Sequence, residues 1–331
     1  MSVGIIGAGS WGWAIAHISE RKKPGQTLIW SRSKEVVQSI NKSGINPKRF
    51  PQSPLKIRAT NELEEVFSEA KIIFIAVPTY TFRDVVRSFS RYVQGDHIII
   101  STSKGLERGT FKRMSEIIKE ETCSKKIGVL SGPNLAAEVI NGDPSGAVIA
   151  SYIREVQEKV YEALHSPFFR IYLSYDVIGA ELGGALKNIY AIAAGISDHL
   201  GFKMNTFSLL LSRAASEMVR FGVKLGAKQE TFFGLSGMGD LFATASSDLS
   251  RNRRFGKLIA QGVSPQDALK QIGEAVEGYP ATKAVWELSQ KMGIKMNIVN
   301  AIYSILYLGK DIRTAIIELL SSEVREEFAL E

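Results

Sequence analysis

A lysine stands in the middle of a helical stretch otherwise nearly free of bulky residues on its own side. In Glu181-Leu182-Gly183-Gly184-Ala185-Leu186-Lys187-Asn188-Ile189-Tyr190-Ala191-Ile192-Ala193-Ala194-Gly195, a rotation of about 100° per residue puts Ala180, Gly184, Lys187, Ala191, Ala194 and Asp198 on one face. Packed closely against another element, such a lysine loses hydration, and its pKa falls toward that of a usable acid or base. A lysine reaching past the same face into solvent would do no chemistry.

A second constellation opens the chain. Gly7-Ala8-Gly9-Ser10-Trp11-Gly12 follows a short apolar strand and begins a helix, which is the context that G-x-G-x-x-G requires. Gly7 permits the tight turn, Gly9 lets the backbone approach a pyrophosphate, and Gly12 lets helix and strand pack closely. The helix N-terminus then offers amide donors and positive dipole to phosphates. At the end of the second strand, Leu28-Ile29-Trp30-Ser31-Arg32, no acidic residue waits for a ribose 2′-hydroxyl. Ser31 and Arg32 instead suit a 2′-phosphate, which favours NADP(H) and leaves NAD(H) as the alternative. Arg32 could equally stack on adenine or be a solvated surface charge.

Three further strands end in loops of small or polar residues: Val77-Pro78-Thr79, Ser101-Thr102-Ser103-Lys104-Gly105 and Ser131-Gly132-Pro133-Asn134. Ligands of open parallel sheets bind beyond the carboxyl ends of the strands, so these loops are expected to line the nicotinamide end and the substrate. Lys104 is the cation among them, with an exposed loop lysine as the bland alternative. Later, Gly237-Met238-Gly239-Asp240-Leu241-Phe242-Ala243-Thr244 sets an aspartate after what reads as a flexible glycine turn. Ser250-Arg251-Asn252-Arg253-Arg254-Phe255-Gly256 starts a helix with Ser250 as N-cap. Basic residues in a first turn oppose the helix dipole unless an anion sits there, which points to a bound phosphate. A solvated basic helix face would look the same.

Other chemistries find little support. His17, His97, His165 and His199 lack metal-ligand spacing, the single Cys123 cannot pair within the chain, and no nucleophile signature is present. Asp198-His199 could mimic an acid/base pair, but the sequence reads there as a turn.

Positioning these residues takes two kinds of architecture. The first half alternates strands over 3–7, 27–30, 71–77, 97–101, 127–130 and 146–150 with helices over 11–21, 33–42, 79–92, 111–121 and 153–165. Near-continuous apolar strands such as Ile72-Ile73-Phe74-Ile75-Ala76-Val77 predict a doubly wound, mostly parallel sheet covered on both faces. After about Tyr175 β-branched runs nearly vanish, and helices are expected over 179–197, 206–222, 251–262, 264–273, 281–293 and 298–308. The expected division is a dinucleotide-binding α/β domain over 1–174 and an all-α substrate and catalytic domain over 175–331, with a cleft between them.

Composition agrees with a folded two-domain protein: 331 residues, 45% apolar and 23% charged, with a formal charge of +7 from 41 Lys and Arg against 34 Asp and Glu. That balance suits an anionic small molecule. The basic residues are scattered, without a basic tail or interleaved aromatics, so nucleic acid is not expected. The apolar runs over 72–77 and 189–194 are six residues each, against the ~20 of a spanning helix, and the start lacks the features of a signal peptide. Neither a membrane span nor a structural disulfide is expected, and the cytoplasm is the natural setting.

In order along the chain, the 7–12 turn, Lys104-Gly105-Leu106-Glu107, Ser131-Gly132-Pro133, Leu182-Gly183-Gly184-Ala185-Leu186-Lys187-Asn188, Gly239-Asp240-Leu241, Ser250 through Gly256, and Val276-Glu277-Gly278-Tyr279 resemble the motifs of bacterial-type NAD(P)-dependent sn-glycerol-3-phosphate dehydrogenase. The resemblance spans nearly the whole chain. It implies a Rossmann-like N-terminal domain and a hydride transfer interconverting glycerol 3-phosphate and dihydroxyacetone phosphate for phospholipid synthesis. By the same likeness Lys187 is the proton donor and acceptor at the C2 oxygen. Lys104, Gly132, Asn134, Asn188, Asp240, Ser250, Arg251 and Asn252 fall at substrate-binding positions. The cofactor positions are Gly7, Gly9, Ser10, Trp11, Gly12, Arg32, Lys104, Ala136, Arg251, Val276 and Glu277, no metal is implied, and a homodimer is the family expectation.

The sequence departs from the family pattern in places. Asn134 replaces a Ser or Thr, Trp13 replaces a small residue, and His199 and Lys203 fall in what reads as a normally glycine-rich loop. Those changes could reshape the pocket or the coenzyme preference. The competing readings are another two-domain reductase of ketopantoate or 6-phosphogluconate type, and a regulator that binds NADP(H) without turnover. The basic cluster at 250–254 argues against the first, and the presence of Lys187 and Asp240 against the second.

Overall fold

The structure is a computed structural model that describes residues 2–321; Met1 and residues 322–331, the two ends of the expected domain division, lie outside the described residues. Eight strands form one sheet: β1 (Val3–Ile6), β2 (Thr27–Trp30), β3 (Arg58–Thr60), β4 (Ile72–Ile75), β5 (Ile98–Ser101), β6 (Lys126–Ser131), β7 (Ser145–Ala150) and β8 (Phe169–Ser174). Their order is β3-β2-β1-β4-β5-β6-β7-β8. Every neighbouring pair is parallel except β6 with β7. The order in which strands are added across the sheet reverses between β1 and β4, the switch point where a doubly wound sheet opens a crevice at its carboxyl edge.

Side chains of alternate residues on the central strands enter two different cores. Val3, Ile5, Ile72, Phe74, Ile98 and Ile100 pack on one face, and Ile6, Ile73, Ile75 and Ile99 on the other. That two-sided burial is why the strands read as unbroken apolar runs. Because Ile6 pairs with both Trp30 and Ile75, and Ile75 with Ser101, the loops after β1, β2, β4 and β5 leave the sheet side by side.

The helical half is built around the helix Val177–His199, in which every residue from Gly179 to Ile196 is buried. Its N-cap Asp176 accepts from the Gly179 amide at 2.9 Å and from Thr231 Oγ1 at 2.6 Å. The helix Arg251–Ala260 crosses it at backbone contact: a Cβ on Gly195 would lie 2.0 Å from the Arg253 carbonyl oxygen, and one on Gly256 2.1 Å from that of Ile192. Among the described residues, no helix is long and apolar enough to cross a membrane, and no group of three or more His, Cys, Asp or Glu could hold a metal.

Several local expectations need correction. Phe111 is not helical: it takes a φ of +59° in a turn closed by a Leu106–Arg113 bridge, and the helix begins at Met114. Asp198 and His199 form the last turn of the central helix, not a separate turn, so they project from successive helical positions. Residues 235–239 are a π-turn running directly into the helix Asp240–Ser246, where the sequence suggested only a flexible glycine turn.

Candidate active site

Lys187 Nζ donates to Asp240 Oδ1 at 2.6 Å and to Thr244 Oγ1 at 2.7 Å. Asp240 and Thr244 lie one turn apart on the helix Asp240–Ser246, so both reach the same ammonium. The other carboxylate oxygen, Oδ2, accepts from Lys104 Nζ at 2.6 Å, and Lys104 also donates to the Gly132 carbonyl at 2.8 Å. One buried aspartate thus holds two lysines, one from each half of the chain. Burial is the main cause that lowers the Lys187 pKa to about 8, with Asp240 opposing the fall and Lys104 and Arg251 adding to it. Such an amine changes protonation state near neutrality, as a proton shuttle requires.

The backbone explains this convergence. Lys104 sits just beyond β5 on a loop pinned to the end of β4, with Thr102 Oγ1 donating to the Ile75 carbonyl at 2.8 Å and Ser103 Oγ to that of Val77 at 2.5 Å. Its stem passes over Gly184, where a Cβ would come within 3.2 Å of Lys104 Cγ and 3.0 Å of Ser131 Oγ. The small-residue face is therefore the surface that admits Lys104 beside Lys187.

Beyond Lys187 lies the start of the helix Arg251–Ala260. Ser250 Oγ caps it, accepting from the Arg253 amide at 3.3 Å. Asn252 Nδ2 donates to Asn188 Oδ1 at 2.8 Å, and Asn252 Oδ1 accepts from the Gly278 amide at 2.9 Å, so the two asparagines join three helices. Arg253 pairs with Asp198 at 3.0 Å and also with Asp248, whereas Arg251 pairs with Glu274 at 3.3 Å. Of these two arginines, Arg251 is the one whose carboxylate partner also meets residues of the sheet half, Ser10 and Arg49.

At the opposite edge, the glycine turn has the shape its sequence predicts. Gly7 has a φ of +113°, and a Cβ on Gly12 would strike the Gly7 carbonyl oxygen at 1.9 Å. Above Gly9 a Cβ would meet nothing within 4 Å among the described residues, so among them the turn faces open space with the helix N-terminus behind it. The Trp11 indole Nε1 is buried without a hydrogen-bond partner among the described residues. These features fit a dinucleotide's phosphates. Arg32 is exposed just past β2 and Ser31 is buried, while Ala136 starts the helix Ala136–Asn141. Val276 is buried. The Glu277 carboxylate accepts from the Thr79 amide at 3.0 Å and from its hydroxyl, fastening the helical half to the loop after β4.

Residues 2–157 match the family described as NAD-dependent glycerol-3-phosphate dehydrogenase N-terminus, and residues 176–317 the corresponding C-terminus. The chain belongs to this family. It is 40% identical over 328 residues to the glycerol-3-phosphate dehydrogenase [NAD(P)+] of Clostridium acetobutylicum, covering 98% of each chain. It is 43% identical over 322 residues to the one from Halothermothrix orenii, covering 96% of this chain and 94% of the other. The crystal structure of glycerol-3-phosphate dehydrogenase from Coxiella burnetii superposes with a TM-score of 0.91 at 35% identity, covering 97% and 98% of the two chains. A ketopantoate reductase from Ralstonia eutropha, at 13% identity and a TM-score of 0.58, shares the fold alone.

Within this family member, Lys104, Gly132, Asp240 and Lys187 form one hydrogen-bonded cluster, Asn188 and Asn252 are joined beside Gly278, Ser250 caps the helix that Arg251 opens, and the 7–12 turn lies at the switch point. Asn134 faces its own support, its Nδ2 donating to the Gly146 carbonyl at 3.0 Å. Trp13 does not line the groove; it is fully buried in the core, edge-on to His17. His199 is an exposed helical residue and Lys203 the exposed N-cap of the helix Met204–Lys224. Glu274 escaped the sequence reading, Thr79 was placed in a lining loop without its Glu277 partner, and Thr244 was given no role beside Lys187. The i, i+4 spacing of Asp240 and Thr244 would have exposed that role had the segment been read as helix. A cavity of about 520 Å³ elsewhere in the helical half, lined by residues such as Ile196, Leu209 and Ile302, does not include Lys187.

Proposed function

We propose that this chain interconverts sn-glycerol 3-phosphate and dihydroxyacetone phosphate by hydride transfer at C2, supplying glycerol 3-phosphate for phospholipid synthesis. The observation that carries this reading is the Lys187–Asp240–Lys104 arrangement, a buried ammonium held by a carboxylate that also binds a lysine from the sheet half. A bound nicotinamide supplies or accepts the hydride. Lys187 Nζ gives its proton to the C2 oxygen in reduction and takes it back in oxidation. Asp240 fixes the direction of both ammoniums, and Lys104 orients the substrate with the loop carrying Gly132 and Asn134.

Arg251 holds the substrate phosphate with Asn252, whose Nδ2 carries a second hydrogen beyond the one given to Asn188. Ser250 sets the start of that helix, and Asn188 sets Asn252. Gly7, Gly9, Ser10, Trp11 and Gly12 receive the pyrophosphate, with Ala136, Val276, Glu277, Lys104 and Arg251 completing the coenzyme groove. Arg32 meets a 2′-phosphate, which makes NADP(H) the preferred coenzyme over NAD(H). A division into a coenzyme domain over 1–174 and a catalytic domain over 175–331, a homodimeric state and a cytoplasmic setting complete the proposal. Consumption of NADPH by the purified chain in the presence of dihydroxyacetone phosphate tests it. Consumption with ketopantoate and none with dihydroxyacetone phosphate would reject it.

A further inference from the structure

Glu274 sits between the helices Pro265–Ile272 and Gly278–Met292 and belongs to none of the motifs above. Its Oε2 accepts from Ser10 Oγ at 3.3 Å and lies 3.3 Å from Arg251 Nη1 and 3.6 Å from Arg49 Nη2. Ser10 begins the helix Ser10–Lys22, which has no side-chain cap and no acidic residue in its first turn. The helix opened by Arg251 likewise has no acidic residue there. Two helix starts that attract anions therefore share one carboxylate.

Arg49 arrives on the loop between the helix Lys34–Ser43 and β3. That loop is held over the glycine turn by the fully buried Asn46, whose Nδ2 donates to the Ala8 carbonyl at 3.0 Å, and by Trp13 Nε1 donating to the Ser53 carbonyl at 3.4 Å. Groups from three segments, spanning both halves of the chain, thus close on Glu274 beside the turn that faces open space.

We propose that Glu274 is an internal competitor for the coenzyme's phosphates: its carboxylate holds Ser10, Arg49 and Arg251 in the ligand-free chain and must release them when a dinucleotide enters. The proposal rests on the reading of the 7–12 turn as the dinucleotide site. Pyrophosphate and carboxylate are like charges seeking the same donors, so part of the coenzyme's binding energy goes into displacing Glu274. Displacement also frees Arg251 for the substrate phosphate, which makes coenzyme binding the step that readies the substrate site. Glu274 is about one-quarter exposed, so it can turn toward solvent once displaced.

Glu274→Gln keeps the size and the bond from Ser10 while removing the charge. Fluorescence titration with NADPH, and competition with ADP-ribose and with adenosine, test the proposal. The variant is expected to bind NADPH and ADP-ribose about three- to tenfold more tightly than wild type, with the gain shrinking in high salt and adenosine unaffected. Glu274→Ala must move in the same direction. Unchanged or weaker binding of NADPH by both variants, or an equal gain for adenosine, would overturn the competitor while leaving the dinucleotide site standing. A wild-type chain binding neither NADPH nor ADP-ribose would overturn the site itself.

Discussion

Lys187 works in two opposed environments at once. Burial on the small-residue face lowers its pKa to about 8, while Asp240, 2.6 Å away, keeps the ammonium from being lost altogether. Ketone reduction needs the ammonium and alcohol oxidation needs the amine. Reduction is therefore expected to fall as pH rises through about 8, and oxidation to rise over the same range. Asp240→Asn removes the attraction that opposes burial, so both limbs should move to lower pH; profiles unmoved by the substitution would detach Asp240 from the lysine. In the proposed coenzyme site Arg32 takes the far end, away from Lys187. Arg32→Ala should weaken NADPH by about tenfold or more and leave NADH nearly unchanged. Equal losses with both coenzymes would mean that the arginine stacks on adenine or supports the fold.

At the scale of elements, the question is what sets the central helix against the sheet. Glu181, two residues before Gly183 on that helix, accepts from Arg113 Nη1 at 2.6 Å, from the Ser115 amide at 2.8 Å and from Ser115 Oγ at 2.6 Å, all at the start of the helix Met114–Glu121. Burial raises its pKa, and Arg113 and Ser115 oppose that rise. Glu181→Gln leaves Arg113 without its buried counter-charge and is expected to destabilise the fold by about 3 kcal/mol, read as a lowered Tm; an unchanged Tm would contradict it. The central strands, the glycine turn and the Lys187 face were legible because each carries a strong period or an obligatory glycine. β3 is only three residues long, and β8 alternates exposed Arg170 and Tyr172 with buried Phe169 and Ile171, so neither shows the apolar run of a covered strand. The Asp240 segment misled because its glycines serve close packing: a Cβ on Gly237 would lie 2.1 Å from the Phe232 carbonyl oxygen. Arg251 was legible as a basic residue at a helix start, but its partner Glu274 was not, since nothing local tells which distant carboxylate a helix start will find.

Across the whole molecule, the sheet and helical halves meet at Asp240, which binds Lys104 and Lys187, and at Glu277, which accepts from Thr79, and the proposed catalysis relies on that meeting. Arg251→Ala, assayed at saturating NADPH, should lower kcat/KM for dihydroxyacetone phosphate by about a hundredfold or more and leave unphosphorylated dihydroxyacetone little changed. The same loss with both substrates would place Arg251 on the coenzyme or on the joining of the halves. The account as a whole stands on one amine at the C2 oxygen. Its most direct test is single-turnover hydride transfer from NADPH to dihydroxyacetone phosphate in wild type and in Lys187→Met, with NADPH binding titrated in both. Transfer is expected to be rapid in wild type, and in Lys187→Met the coenzyme affinity is expected within about twofold of wild type with transfer slowed by about a thousandfold or more. Near-normal transfer in Lys187→Met would contradict the role given to that lysine.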